Sequence, residues 1–302
     1  MIKKAFTLIE LILVIVILAI LSLIGTNIYT NVYKNYLTSK IVDEVEDKTQ
    51  LALDQIASRL SDRVKQATIG RKSSNPNDIV LVYDSRLQQD HDILEWIGQS
   101  TQSRNLAGDN VDRSIGWSGF LDIGIYENSK RILIGGRLPA AKSVINSISR
   151  GGDQNLSMIF QGIETNKEVG YGFRGENPDK IMVFNMPSSG AEITPVGNYL
   201  GKEISDRYQI AHSAYAIVPI IDKTVTPNKT DLYLYYDYRP WNRERYSDRD
   251  TKKSLLVENV TLFRFRGFSA SGMDLKLCVD AGAQKHGVTD NKFVVCKTKV
   301  VF

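Results

Sequence analysis

Cysteine is nearly missing from this chain. Cys278 and Cys296 are the only two in 302 residues, which excludes a disulfide-scaffolded fold and leaves room for one staple or a pair of buried thiols. Histidine is as scarce. His91, His212 and His286 lie far apart and lack the spacing of a zinc site. No large excess of either charge exists: 38 basic against 34 acidic residues leave a net charge of +4, which gives no reason to expect a nucleic-acid partner. Signatures of catalysis and cofactor binding are wanting too. There is no G-x-S-x-G elbow. Gly170–Gly175 spells G-x-G-x-x-G, but polar residues precede it and Glu176-Asn177-Pro178 follows, so no helix can begin where a phosphate needs one. Gly197–Lys202 is too short for a P-loop, and Glu203 stands where Ser or Thr is required. Asp248, Asp250, Asp274, Asp280 and Asp290 cluster without calcium-loop spacing. The reading is a protein with no catalytic residues, cofactor or metal.

One long hydrophobic run stands out. From Leu11 to Tyr33 no residue is charged, and about 20 such residues of helix span a bilayer core. Lys3 and Lys4 precede the run and are expected to stay cytoplasmic, which sends the remainder across the membrane. A secretory signal peptide shares the basic start, but this run is longer and no A-x-A site follows it. Glu10 is the anomaly. A carboxylate in hydrocarbon costs several kcal/mol on most scales, so such residues usually have a partner. The plain alternative is that Glu10 sits at the interface and reaches water.

The residues around Glu10 are Lys3-Lys4-Ala5 followed by Phe6-Thr7-Leu8-Ile9-Glu10. This resembles the class III signal of type IV pilins and of the pseudopilins of type II secretion systems. The resemblance implies a cut by prepilin peptidase between Ala5 and Phe6, methylation of the new amine of Phe6, and pairing of Glu10 with the N-terminal ammonium of a neighbouring subunit. A buried ion is tolerable when paired and costly alone, so the pair would fix the stagger between subunits. One departure is Ala5, where the family usually has Gly. Partners implied are other pseudopilins or pilins, the peptidase and an inner-membrane assembly platform. The location implied is the bacterial inner membrane, single-pass, with the C-terminal domain in the periplasm.

Past Tyr33 the chain turns polar but keeps a pattern. Val45, Thr49, Ala52, Ile56, Leu60, Val64 and Ala67 recur at spacings of three and four, one face of a helix. Neither proline nor glycine interrupts Asn27 to Ile69, and Gly70 with the loop to Pro76 reads as a stop. The expectation is one helix from Phe6 to Ile69, roughly 95 Å long, with Gly25 as a flexible point. The divisions expected are a leader (1–5), a transmembrane half-helix (6–30), a periplasmic half-helix (31–70) and a globular domain (77–302).

Beyond residue 77, runs rich in β-formers alternate with Gly, Asn, Asp and Pro. Strands are expected at Ile79–Tyr83, Phe120–Tyr126, Ile132–Ile134, Ile181–Phe184, Tyr215–Ile221, Leu232–Tyr238, Leu255–Phe265, Asp274–Val279 and Phe293–Val301, with a helix at Ala140–Ser149. Leu87–Gly116 and Arg150–Gly175 read as long loops or insertions. The charged stretch from Arg239 to Lys253 reads as a solvated loop, or else as a subunit contact anchored by Trp241. The fold class is therefore α+β: a long N-terminal helix packed on an antiparallel sheet domain. The last three strands, the final pair closed by Cys278 and Cys296, are similar to the C-terminal sheet of J-type minor pseudopilins. Outside the cytoplasm such a bond persists. Asp153-Gln154-Asn155-Leu156-Ser157 resembles the extended acceptor of bacterial N-glycosylation.

The whole reading is a minor pseudopilin that initiates a periplasmic filament, or a minor pilin doing the same for a type IV pilus. The reading from another class is a signal-anchored periplasmic enzyme or binding domain that never polymerises.

Overall fold

The computed structural model describes residues 7–106, 115–162, 170–197, 199, 203–224, 228–268, 272–281 and 293–302. It opens on helix α1, Leu8–Ser61, 54 residues long. At 1.5 Å per residue this is roughly 80 Å. The helix stops eight residues before the expected Ile69. Arg63–Arg71 is a strand, β1, buried on both faces. Val64 and Ala67 continue the helical spacing by coincidence. Val64, Thr68 and Ile69 are β-branched, and a strand with both faces covered loses the alternation that would have announced it. Gly70 serves close packing rather than a helix stop: a Cβ there would lie 2.5 Å from Leu87 Cδ1.

Strands β2 (Ile79–Leu81) and β3 (Ile93–Gly98) follow. The chain then leaves for residues 99–212 and returns as β9 (Ser213–Asp222), β10 (Lys229–Tyr238) and β11 (Lys252–Val257). These six form one antiparallel sheet in the order β11-β10-β9-β3-β1-β2. β3 lies inside the stretch expected to be loop. All six of its residues are buried, so its apolar residues do not alternate. β3 pairs with β9, and Gly98 lies opposite Ser213, so the excursion starts and ends at one point of the sheet.

The excursion holds α2 (Thr101–Arg104), α3 (Ile123–Ser129), β4 (Ile132–Leu133), α4 (Leu138–Ile148), β5 (Leu156–Phe160), β6 (Met182–Phe184), β7 (Glu192–Ile193) and β8 (Tyr208–Ala211). It has its own core, centred on Trp117, Leu138, Ile145, Met158, Phe184 and Ile210. α4 matches the expected helix. The strand expected at Phe120–Tyr126 is absent: Phe120 and Leu121 make single bridges, and Asp122 then caps α3, its carboxylate accepting from the Ile125 N–H at 3.1 Å.

The chain ends in β12 (Val260–Phe268), β13 (Gly272–Asp280) and β14 (Val294–Val301), paired antiparallel in that order. The run expected as one strand from Leu255 to Phe265 is two, broken at Asn259, whose φ is +57°. Met273, Leu275 and Leu277 of β13 meet Leu53, Ile56 and Leu60 of α1 and Leu94 and Trp96 of β3 in one core. The opposite face of the large sheet buries Ile69, Ile93, Ala214, Ala216 and Tyr238 against Ile159, Tyr171 and Phe173 of the excursion.

One ion pair is buried in that second layer. Arg71 donates through Nε to Glu95 Oε2 at 2.8 Å, and Tyr238 donates its hydroxyl to Glu95 Oε1 at 2.9 Å. Arg71 and Glu95 are 4 % and 1 % exposed. Burial lowers the proton affinity of the Arg71 guanidinium, but Glu95 beside it raises it past its ordinary value, so the arginine stays charged.

Candidate functional site

From residue 7 to residue 36 every residue of the helix segment is exposed. At 1.5 Å per residue this is more than 40 Å of helix with no partner among the described residues. Leu8 is 78 % exposed and Leu23 is 67 % exposed. The segment is long and apolar enough to cross a membrane, with a mean hydropathy of 3.1 in its best window. Two threonine hydroxyls inside it are satisfied locally: Thr26 Oγ1 donates to the Ser22 carbonyl at 2.7 Å and Thr30 Oγ1 to that of Thr26 at 2.8 Å. This removes the need for water. Tyr29 and Tyr33 stack at 6.2 Å, and with Tyr36 they mark the end of the greasy stretch, where aromatics suit an interface. Gly25 lies within unbroken helix.

Glu10 sits in the first turn. Thr7 is the N-cap, and Thr7 and Glu10 form a capping box. The Thr7 N–H and hydroxyl each donate to Glu10 Oε2 at 2.9 Å, and the Glu10 N–H donates to Thr7 Oγ1 at 3.4 Å. The box ties the carboxylate to the helix start, while Glu10 itself stays exposed. The sequence signal for this partner is T-x-x-E before an apolar run. Ala5 and Phe6, the expected cleavage and methylation sites, lie outside the described residues.

The second half of α1 is fixed to the domain. Thr49, Ala52, Leu53, Ile56, Ala57 and Leu60 are buried. Two ion pairs join α1 to β14, Lys297 with Glu46 and Lys299 with Asp54. β14 is itself stapled to β13 by Cys278–Cys296, directly opposite in register with their Cα atoms 4.1 Å apart. The staple therefore holds the strand on which the helix rests.

Other sequence candidates find ordinary places. The G-x-G-x-x-G loop is filled from within, since Glu176 accepts the N–H groups of Gly170, Gly172 and Arg174 at 3.1, 2.9 and 2.7 Å. Trp241 is 3 % exposed and donates to the Asn155 carbonyl at 2.8 Å, so it belongs to the core rather than to a subunit contact. The same bond, and the buried Ser157 hydroxyl aimed at the Ala211 carbonyl, place the Asn155 sequon in folded structure. His212 Nδ1 lies 2.8 Å from Ser100 Oγ. Burial, then Arg239, push its proton affinity down to about 4, so the ring is neutral at physiological pH. His286, Asp290 and most of Gly197–Lys202 fall outside the described residues. Among those described, no three His, Cys, Asp or Glu residues come together as metal ligands.

A membrane-length helix, bare along its first half and laid by its second half on an antiparallel sheet domain, is a pilin-like architecture. Residues 1–26 match the family described as the prokaryotic N-terminal methylation motif, and this marks the chain as a type IV pilin-like prepilin. No curated protein and no solved structure matches the chain.

Proposed function

We propose that the chain is a minor pseudopilin of a type II secretion system. Prepilin peptidase cuts it after Ala5, Phe6 is methylated, and the bare helix joins a short inner-membrane filament whose globular domains face the periplasm. The chain carries no catalytic centre of its own. It acts by initiating the filament and coupling it to exported proteins. The observation that supports this is the exposed apolar helix of residues 7–36 with one carboxylate at its head. Such a surface is costly in water and is used only among like helices or lipid. Paired with the ammonium at the start of a neighbour, Glu10 would fix the stagger. The C-terminal sheet β12-β13-β14, which the J-type resemblance covers, favours secretion over pili as the setting.

Deletion of the chain in its native cell tests the setting. The expected result is folded exoproteins retained in the periplasm while surface pili remain. Lost pili with normal export would move the chain to pilus priming, and no defect in either would overturn the assembly role.

A further inference from the structure

A second surface stands whatever the exposed half of the helix assembles with. The outer face of the C-terminal sheet forms the floor of a groove of about 760 Å³, and the segment Asp84–Gln89 forms its wall. That volume lies in the range of ligand sites. The floor carries a cross-strand row Arg264–Lys276–Thr298 and a second row Arg266–Asp274–Val300. Like charges set opposite each other on adjacent strands are destabilising, yet Arg264 and Lys276 are placed so. Among the described residues, neither they nor Arg266 forms an ion pair. Two further lining charges are already engaged: Asp84 holds Arg86 at 2.7 Å, and Lys299 is taken by Asp54. Asp274 is the single lining carboxylate left without a cation, so the groove presents three cations against one acid.

The cations are spread along the sheet rather than gathered on one point. Arg264 and Arg266 stand two residues apart on one strand, a repeat of roughly 6.8 Å. An extended peptide has the same repeat for its alternate side chains. Lys276 lies beside Arg264 at cross-strand distance, so one carboxylate can be shared by that pair and the next can meet Arg266. We propose that this groove binds an extended acidic segment of a partner protein, with carboxylates at alternate positions. Asp274 opposes the second carboxylate and tunes the affinity down.

The test uses the full chain in non-ionic detergent at low salt, where surface charge is least screened. The probes are dye-labelled hexapeptides, one alternating Glu and Ser and one with three Glu followed by three Ser, read by fluorescence anisotropy. R264Q/K276Q is expected to weaken the alternating peptide about tenfold or more, and D274N to tighten it about twofold. R249Q, an exposed cation outside the groove, should change nothing. Equal affinity for the two peptides, or displacement by inorganic phosphate at matched charge, would mean a diffuse or small-anion patch and overturn the proposal. Displacement by anionic lipid vesicles would assign the face to a membrane and overturn it as well. Should R264Q/K276Q fail to fold, D274N decides alone, and unchanged binding by that variant refutes the groove.

Discussion

Glu10→Ala is expected to leave the leader cut at its normal extent and to cut incorporation into filaments by about tenfold or more, the loss of a single buried charge pair being worth several kcal/mol. The two readouts separate because they use different parts of the helix head. On the proposed reading the peptidase acts at Ala5 and Phe6 in an unassembled precursor, where Glu10 is satisfied by Thr7. Assembly asks the carboxylate to enter hydrocarbon, where Thr7 alone cannot neutralise it. Intact mass of the membrane-extracted variant reports the cut, and the variant's share of the sheared filament fraction reports assembly. Normal incorporation of Glu10→Ala would contradict the ion-pair account. A variant retaining Met1 would show that Glu10 acts in processing instead.

Arg71→Met is the second large effect, and it concerns the fold. It leaves the Glu95 carboxylate, 1 % exposed, without its cation. Breaking a buried pair from one side costs about 3–5 kcal/mol, whereas replacing both members by apolar groups costs far less. The single variant is therefore expected to lose that amount in urea unfolding of the solubilised chain, and R71M/E95M to recover part of it. Recovery should be incomplete, because Tyr238 loses its acceptor and the Phe173 carbonyl loses the Arg71 donor. A single variant as stable as the parent would mean that the charges are not sequestered between sheet and excursion.

The parts of this architecture that were legible in the sequence are those with one exposed face or one strong local signal. The apolar run and the last two strands belong here, as does α4. What escaped was hidden by double burial. β1 and β3 are covered on both faces, so Val64 and Ala67 passed for helix and Ile93–Gly98 for loop. Glu95 made β3 look polar because its partner, Arg71, sits on another strand. The scale of the excursion was invisible for a similar reason: only the pairing of Gly98 with Ser213 shows that residues 99–212 leave and rejoin one sheet. Trp241 looked like a surface anchor because its neighbours in sequence are charged, while its neighbour in space is the Asn155 carbonyl. At the helix head, Glu10 was read through its expected neighbour, and Thr7, its partner within the chain, went unread.

The most direct measurement is zero-length cross-linking in assembled filaments with a carbodiimide that partitions into membranes. The account predicts an amide between the Glu10 carboxylate and the N-terminal nitrogen of an adjacent subunit, identified as a linked peptide by mass spectrometry. The pairs Lys297 with Glu46 and Lys299 with Asp54 supply internal controls for carboxylate–amine contact. Control links forming while Glu10 joins no N-terminus would contradict it.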